Sequence, residues 1–297
     1  EDPIVNIADI TKTFNEFQKV PEMDAYAASA LAQAASGFGG VDATALTADN
    51  ILETWDTYLA YMVNQRVPRD RIRAKMTPDT YKLLKEAAGI TRFVEADTGI
   101  RNIDRNVGKL DGVVIMEVPK DIMMSAYDFT EGWASATGAK QINLLMFDPI
   151  AIAAPVVYET SMMSAPTAQS KGKWLYYERY YYDVFALNQR LPGIFVNMAS
   201  NPALGTLNIT TSAGADSTHT VINGLAPAPY GMKYVAKTNT DGAVSVTYGQ
   251  ALTDWTDVTN GASFTTKSGD TVTVALVNTT KGNIATATGS ALAVVGS

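Results

Sequence analysis

"WLYYERYYYDVFALNQRLPGIFVN" spans Trp174 to Asn197, and five of the chain's fourteen tyrosines fall between Tyr176 and Tyr182. Side chains alternate across a strand. Trp174, Tyr176, Glu178, Tyr180, Tyr182 and Val184 therefore face one way. Leu175, Tyr177, Arg179, Tyr181, Asp183, Phe185 and Leu187 face the other. Burying one such ring is worth about 1.5–3 kcal/mol, so five rings left in water would forfeit much of an ordinary stability. The stretch reads as one long strand from Trp174 to Leu187. Its rings Trp174, Tyr176, Tyr177, Tyr180, Tyr181, Tyr182 and Phe185 are expected in a core or an interface. A helix can cover one face, and the other needs a further layer or a neighbouring subunit. Glu178 and Arg179 point to opposite faces, and each needs a partner there, because a lone buried charge is expensive.

Upstream the pattern is helical. Ile7, Ile10, Phe14 and Phe17 recur at helical spacing. Val20-Pro21 interrupts them, and Met23, Tyr26, Ala27, Ala30, Leu31 and Ala34 carry the stripe on to "SGFGG". Thr47 reads as the cap of a second helix with Ile51, Leu52, Trp55, Leu59, Met62 and Val63 on one side. "RDRIRAKM" reads as a short strand. "TPDTYKLLKEAAG" reads as a helix with Thr77 as cap, Pro78 in the first turn and Gly89 as the stop. "LDGVVIMEVP" and "QINLLMFDP" read as buried strands. From Asn201 onward Thr, Ser, Gly, Ala and Val dominate in short alternating runs, among them "AVSVTYG", which predicts an all-β sandwich of about 95 residues.

The 297 residues carry 30 acids against 23 bases, for a formal net charge of −7. That disfavours a nucleic-acid-coating surface. There is no cysteine, which removes disulfides and thiolate chemistry together. The single histidine, His219, has no acid-and-serine set around it in sequence, and it is expected to be an ordinary surface residue. "GFGG" lacks the Lys-Ser/Thr of a phosphate loop and follows a helix, so it reads as a helix stop. Arg66, Arg69, Arg71 and Arg73 form a basic cluster, read either as a solvated turn or as an inter-subunit salt-bridge patch. No apolar run approaches the roughly 20 residues of a membrane helix. No catalytic residue, metal or cofactor is expected. A glycosidase would need two convergent carboxylates, for which Glu159 and Glu178 are the only weak candidates.

The order of the pieces carries a resemblance. "VPEMDAYAASALAQAA" resembles the end of the long spine helix of tailed-bacteriophage major capsid proteins, the HK97-like fold. "LTADNILETWDTYLAYMVNQRVPRDRIRAKMTPDTYKLLKEA" is similar to the helix, strand and helix of the family's A-domain, and "NVGKLDGVVIMEVP" to the loop and strand after it. "INLLMFDPIAIAAPVVYETSMMSAPTAQSKGKWLYYERYYYDVFALNQRLPGIFVN" resembles the return through the P-domain. The likeness covers about residues 7–198. It implies an α+β capsid core over residues 1–200, with the P-domain at about 1–40 and 142–200 and the A-domain at about 41–141. An Ig-like β-sandwich over 201–297 would be a surface domain.

The implied function is a non-enzymatic major capsid protein. Copies would assemble with themselves into an icosahedral shell in the host cytoplasm, enclosing double-stranded DNA without reading its sequence. The β domain would touch a host surface or glycan, and nothing would insert into a membrane. An encapsulin-like compartment shell is the alternative within the fold. A bacterial surface adhesin or glycan-binding protein is the alternative from another class. The family's N-terminal arm and E-loop normally precede the spine helix, and by this resemblance both are expected to be lacking, since the spine helix opens the sequence. Without them the expected state in solution is a monomer or small oligomer.

Overall fold

The computed structural model describes residues 3–87, 94–97, 100–103 and 108–296; the predicted Gly89 helix stop lies outside them. The fold is mixed α+β. It divides into two compact units, one of Glu1–Ala32 with Ala45–Ile194 and one of Gln33–Thr44 with Phe195–Ser297. The second unit thus begins at Phe195, not Asn201, and takes in an upstream segment.

The chain opens with helix α1 (Pro3–Phe14), a π turn over Asn15–Lys19, and helix α2 (Val20–Phe38). Pro21 has no N–H to give the carbonyl four residues back. The π turn widens the helix just ahead of it, with the Val20 N–H bonding the Asn15 carbonyl, so the helix passes the proline without breaking. On α2 the fully buried positions are Ala25, Ala28, Leu31, Ala32, Ala35 and Phe38. The sequence pattern predicts Ala27, Ala30 and Ala34 instead. Alanines lie all round this helix, so composition alone does not choose its face.

After strand β1 (Val41–Asp42) comes α3 (Ile51–Asn64), which buries Ile51, Trp55, Tyr58, Leu59 and Met62 and leaves Val63 exposed. Thr47 and Asn50 exchange backbone-to-side-chain hydrogen bonds across the turn before it. A 3-10 turn (Arg69–Arg71) leads into β2 (Arg73–Met76) and α4 (Pro78–Glu86). The Thr77 hydroxyl accepts from the Thr80 N–H as predicted. β3 (Val94–Asp97) and β4 (Ile100–Ile103) form a hairpin. β5 (Lys109–Leu110) and β6 (Val113–Glu117) form a second one. The expected single strand over 110–119 is therefore a turn plus a strand. Asp111 and Gly112 take φ of 51° and 87°, the geometry of a two-residue hairpin turn that Asp-Gly favours. The Asp111 carboxylate accepts from the Trp55 indole N–H at 3.2 Å.

Strands β7 (Tyr127–Asp128) and β8 (Ala134–Ser135) pair. β9 (Ile142–Phe147) lies antiparallel to β2, which lies parallel to β6. Ile142, Leu144, Leu145 and Met146 are all buried, as suits a strand covered on both faces. β10 (Ile152–Ala153), β11 (Val156–Ser164), β12 (Leu175–Tyr182) and β13 (Phe185–Ala186) complete the first unit.

In the second unit β14 (Ile194–Met198) runs parallel to β1. Then follow β15 (Gly205–Thr206), β16 (Thr210–Ala213), β17 (His219–Asn223), β18 (Met232–Asn239), β19 (Thr256–Val258), β20 (Ser263–Thr265), β21 (Thr271–Asn278) and β22 (Ile284–Leu292). They form a five-stranded sheet, β15-β22-β21-β18-β19, and a three-stranded sheet, β16-β17-β20. Ile209, Ile222 and Phe264 meet Tyr234, Val258, Val272 and Val274 in a common core between the sheets, so this part is a two-sheet β structure. "AVSVTYG" forms no strand. Val246 with Leu252 and Trp255 covers the other face of the larger sheet, over Val235, Ala275 and Val277.

The end of α2 belongs to this second unit. The Tyr248 hydroxyl donates to the Ser36 carbonyl, the Asn278 amide to Phe38 and the Lys281 ammonium to Gly39. Helix ends leave carbonyls unpaired, and here side chains of the β structure take them up. Gly39 has φ of 82°, and a Cβ there would sit 3.0 Å from Ile284 Cδ1. The glycine is required both by conformation and by space.

Candidate functional site

β11 and β12 pair antiparallel from Val156↔Tyr182 to Ser164↔Leu175, a two-stranded ribbon among the described residues. The predicted strand to Leu187 is cut at Tyr182. Asp183 accepts from its neighbour's amide, Val184 N–H, at 2.7 Å, and β13 pairs with β10 instead.

The opening helix lies on the Trp174, Tyr176, Glu178, Tyr180, Tyr182 face of the ribbon, as expected. The contact is polar. Lys19 Nζ donates to Glu178 Oε1 at 2.6 Å, with the two side chains only 12% and 13% exposed. The same ammonium sits 4.4 Å from the Tyr180 ring centre, and the Tyr176 hydroxyl donates to Glu178 at 2.9 Å. One turn on, the Tyr182 hydroxyl donates to Glu22 at 3.2 Å and the Tyr26 hydroxyl to Asp183 at 2.7 Å. The Tyr26 and Tyr182 rings meet edge to face. Lys19 and the Tyr176 hydroxyl stabilise the Glu178 carboxylate and hold its pKa below the usual range. The hydrogen bond to Asp183 and burial raise that of Tyr26, and burial beside Glu22 raises that of Tyr182. The seam is thus one ion pair and a set of tyrosine hydroxyls hydrogen-bonded to carboxylates.

The apolar groups are on the outside. Ile10, Phe14, Phe17 and Val20 run along the helix away from the ribbon, with Ile10 68% and Phe17 63% exposed. On the outer ribbon face Met162, Leu175, Tyr177 and Tyr181 are exposed, the two tyrosines at 52% and 48%. Arg179 lies among them, 4.7 Å from the Tyr181 ring centre. Among the described residues the seven rings therefore form no common core. Trp174, Tyr180 and Tyr182 are half-buried, while Tyr176, Tyr177, Tyr181 and Phe185 are exposed. One helix covers one face, and no described residue supplies a second layer.

The arginine cluster divides. Arg71 pairs at 2.6 Å with Asp148, whose side chain is buried and also caps the turn at Ile150. Arg73 donates to the Asp70 and Ile72 carbonyls. Arg66, at φ 65°, and Arg69 are exposed. His219 contacts Asp216 at 2.7 Å in an exposed turn, where the Thr218 hydroxyl and then the imidazole pull the Asp216 pKa down to about 2. Glu178 is committed to Lys19, and the Glu159 side chain lies outside the described residues. No cluster able to hold a metal occurs among the described residues. No helix among them is long and apolar enough to cross a membrane.

Helical spacing sets Tyr26 in the apolar stripe and alternation sets Asp183 on the outer ribbon face; both instead join Lys19 and Glu22 in the seam. Their signal is present: Thr11, Asn15, Lys19, Glu22 and Tyr26 recur at helical spacing, a polar stripe opposite the apolar one.

No family model and no curated protein matches the sequence. The structure is similar to one of Mycobacterium phage Che8, with a TM-score of 0.39 at 14% identity over 65% of this chain and 61% of that one. It is also similar to domains 7, 8 and 9 of the S-layer protein SbsC, with a TM-score of 0.27 at 12% identity over 40% of this chain and 36% of that one. The chain spans less than two thirds of either neighbour. Neither likeness is close enough to bear on fold or function, which rest on the surface itself.

Proposed function

We propose that this chain is a structural protein that works by assembling with copies of itself, as the shell subunit of a phage-type capsid built on an HK97-like core. It performs no catalysis. The observation that carries this reading is the arm of helix and ribbon, which ties Lys19, Glu22, Glu178 and Asp183 into its inner seam and presents apolar side chains on both outer sides. A protein acting alone does the reverse, since contiguous exposed apolar surface marks interaction sites. A shell subunit is covered on several sides, and closed symmetry lets modest contacts suffice. The β structure of residues 195–297 fits a surface domain, and host-surface or glycan contact is its proposed role. The net negative charge suits a container that does not grip enclosed DNA.

Sedimentation velocity over a wide concentration range, followed by electron microscopy of the largest species, tests the reading. Ordered rings or shells growing with concentration support it. Of the monomer or small oligomer expected from the sequence, the small oligomer is compatible with it, and a monomer that persists at millimolar concentration overturns it.

A further inference from the structure

The arm has two apolar faces, one on the helix and one on the ribbon. Their flanking charges differ. Asp9 on α1 and Glu16 in the π turn are exposed beside the Ile10, Phe14, Phe17, Val20 stripe. Lys12 lies further round. On the ribbon the charge within the patch is Arg179, held over Tyr181. The register confirms one shared face, because Met162 sits opposite Tyr177 and Ser164 opposite Leu175.

We infer, building on the self-assembly reading, that the occupant of each face is a second copy of this chain and that the contact is head-to-tail. The helix stripe of one copy seats on the outer ribbon face of the next, with Glu16 beside Arg179. Charge decides between the arrangements. Ribbon on ribbon would gather two Arg179 side chains in an apolar patch. Helix on helix would gather Asp9 and Glu16 from both copies. Only helix on ribbon matches acid to base, and like charges brought together at an interface are disfavoured. The size also fits: with aromatic side chains of about 150–250 Å² each, the two patches together expose about 1,000 Å², the lower bound of a specific interface. A head-to-tail contact leaves one free face of each kind on every open oligomer. It therefore propagates until a ring closes, which a symmetric pair cannot do.

The chain contains no cysteine, so single cysteines report contacts without background. Phe17→Cys and Tyr181→Cys both alter exposed side chains. Each variant is treated with a short bis-maleimide cross-linker alone and in an equal mixture. The head-to-tail contact predicts cross-linked dimers in the mixture, at least fivefold above either variant alone. It also predicts ladders from the doubly substituted chain. Dimers from Tyr181→Cys alone, or from Phe17→Cys alone, at the level of the mixture would overturn it in favour of a symmetric pair. Charge reversal gives an independent arm. Glu16→Arg and Arg179→Glu should each fail to associate alone yet associate when mixed, since every junction then pairs opposite charges. If both arms are negative while sedimentation still shows concentration-dependent assembly, this contact is wrong and the self-assembly reading survives. If no assembly occurs at all, that reading fails first.

Discussion

The polar seam makes a strong quantitative demand. Lys19 and Glu178 are almost wholly buried against one another, so replacing Lys19 by methionine leaves the Glu178 carboxylate in a dry site with only the Tyr176 hydroxyl as partner. A hydrogen bond between charged groups is worth about 1.5–3 kcal/mol net, and an unsatisfied buried charge costs at least that much. Lys19→Met should therefore destabilise the arm by about 2–3 kcal/mol. Glu178→Gln should cost somewhat less, because Lys19 retains the Tyr180 ring. The double variant should cost less than the sum, with a coupling of about 1.5–3 kcal/mol. Since arms open locally, the suitable assay is hydrogen exchange of the β12 amides, run on all four proteins. The Glu178 pKa is depressed in the folded arm. Its contribution is thus complete above the ordinary glutamate value of 4.5 and is lost as pH falls through the lower folded value. Wild-type protection, taken relative to the intrinsic exchange rate at each pH, should fall below that point, and Lys19→Met protection should lose most of this acid dependence. A cycle additive to within about 0.5 kcal/mol, or unchanged β12 exchange in Lys19→Met, would refute the view that this pair holds the arm closed.

Burial pulls the Lys281 pKa down to about 8 from 10.5, so the native state binds fewer protons than the unfolded state between those values, and stability of the second unit should rise with pH from about 8 to 10, by at most about 3 kcal/mol. Urea melts of Lys281→Met should lack that rise. Gly39→Ala should cost about 1–2 kcal/mol in the same melts, because an L side chain is strained at positive φ. Trp55→Ala should cost about 3–5 kcal/mol by cavity formation and loss of the Asp111 bond. Asp148→Asn should destabilise the first unit by about 1–3 kcal/mol, read by thermal unfolding, because Arg71 loses its charged partner.

Where local chemistry decides the structure, the sequence was readable. Thr77-Pro78 starts α4, Gly39 ends the helix, and alternation along β12 sorts Tyr180 and Tyr182 from Tyr177 and Tyr181. Asp111-Gly112 was a legible hairpin signal set inside an apolar run that reads more simply as one strand. "AVSVTYG" has strand alternation, but Val246 and Tyr248 are held by packing from an irregular backbone, which periodicity cannot distinguish. The seam was missed for a different reason. Helical spacing groups Ile10, Phe14 and Phe17 on one face without saying what covers it, and that face is exposed among the described residues.

That exposure leaves the arm held by two kinds of contact. Each seam bond to a charged group nets about 1.5–3 kcal/mol, and each apolar side chain covered by a neighbour contributes about 1.5–3 kcal/mol before the cost of association. The seam is specific, because each carboxylate has its own donor. The outer faces are nearly nonspecific apart from Glu16 and Arg179. Such a division lets the seam set the shape of the arm before any partner arrives, and lets the partner add a comparable stabilisation afterwards. It follows that β12 amides should exchange faster than those of β9 in the unassembled chain. They should be protected by at least tenfold once copies associate, while β9, already buried on both faces, should change little. Equal protection of β12 before and after association would show that the arm is finished without a neighbour, and the apolar faces would then need another explanation.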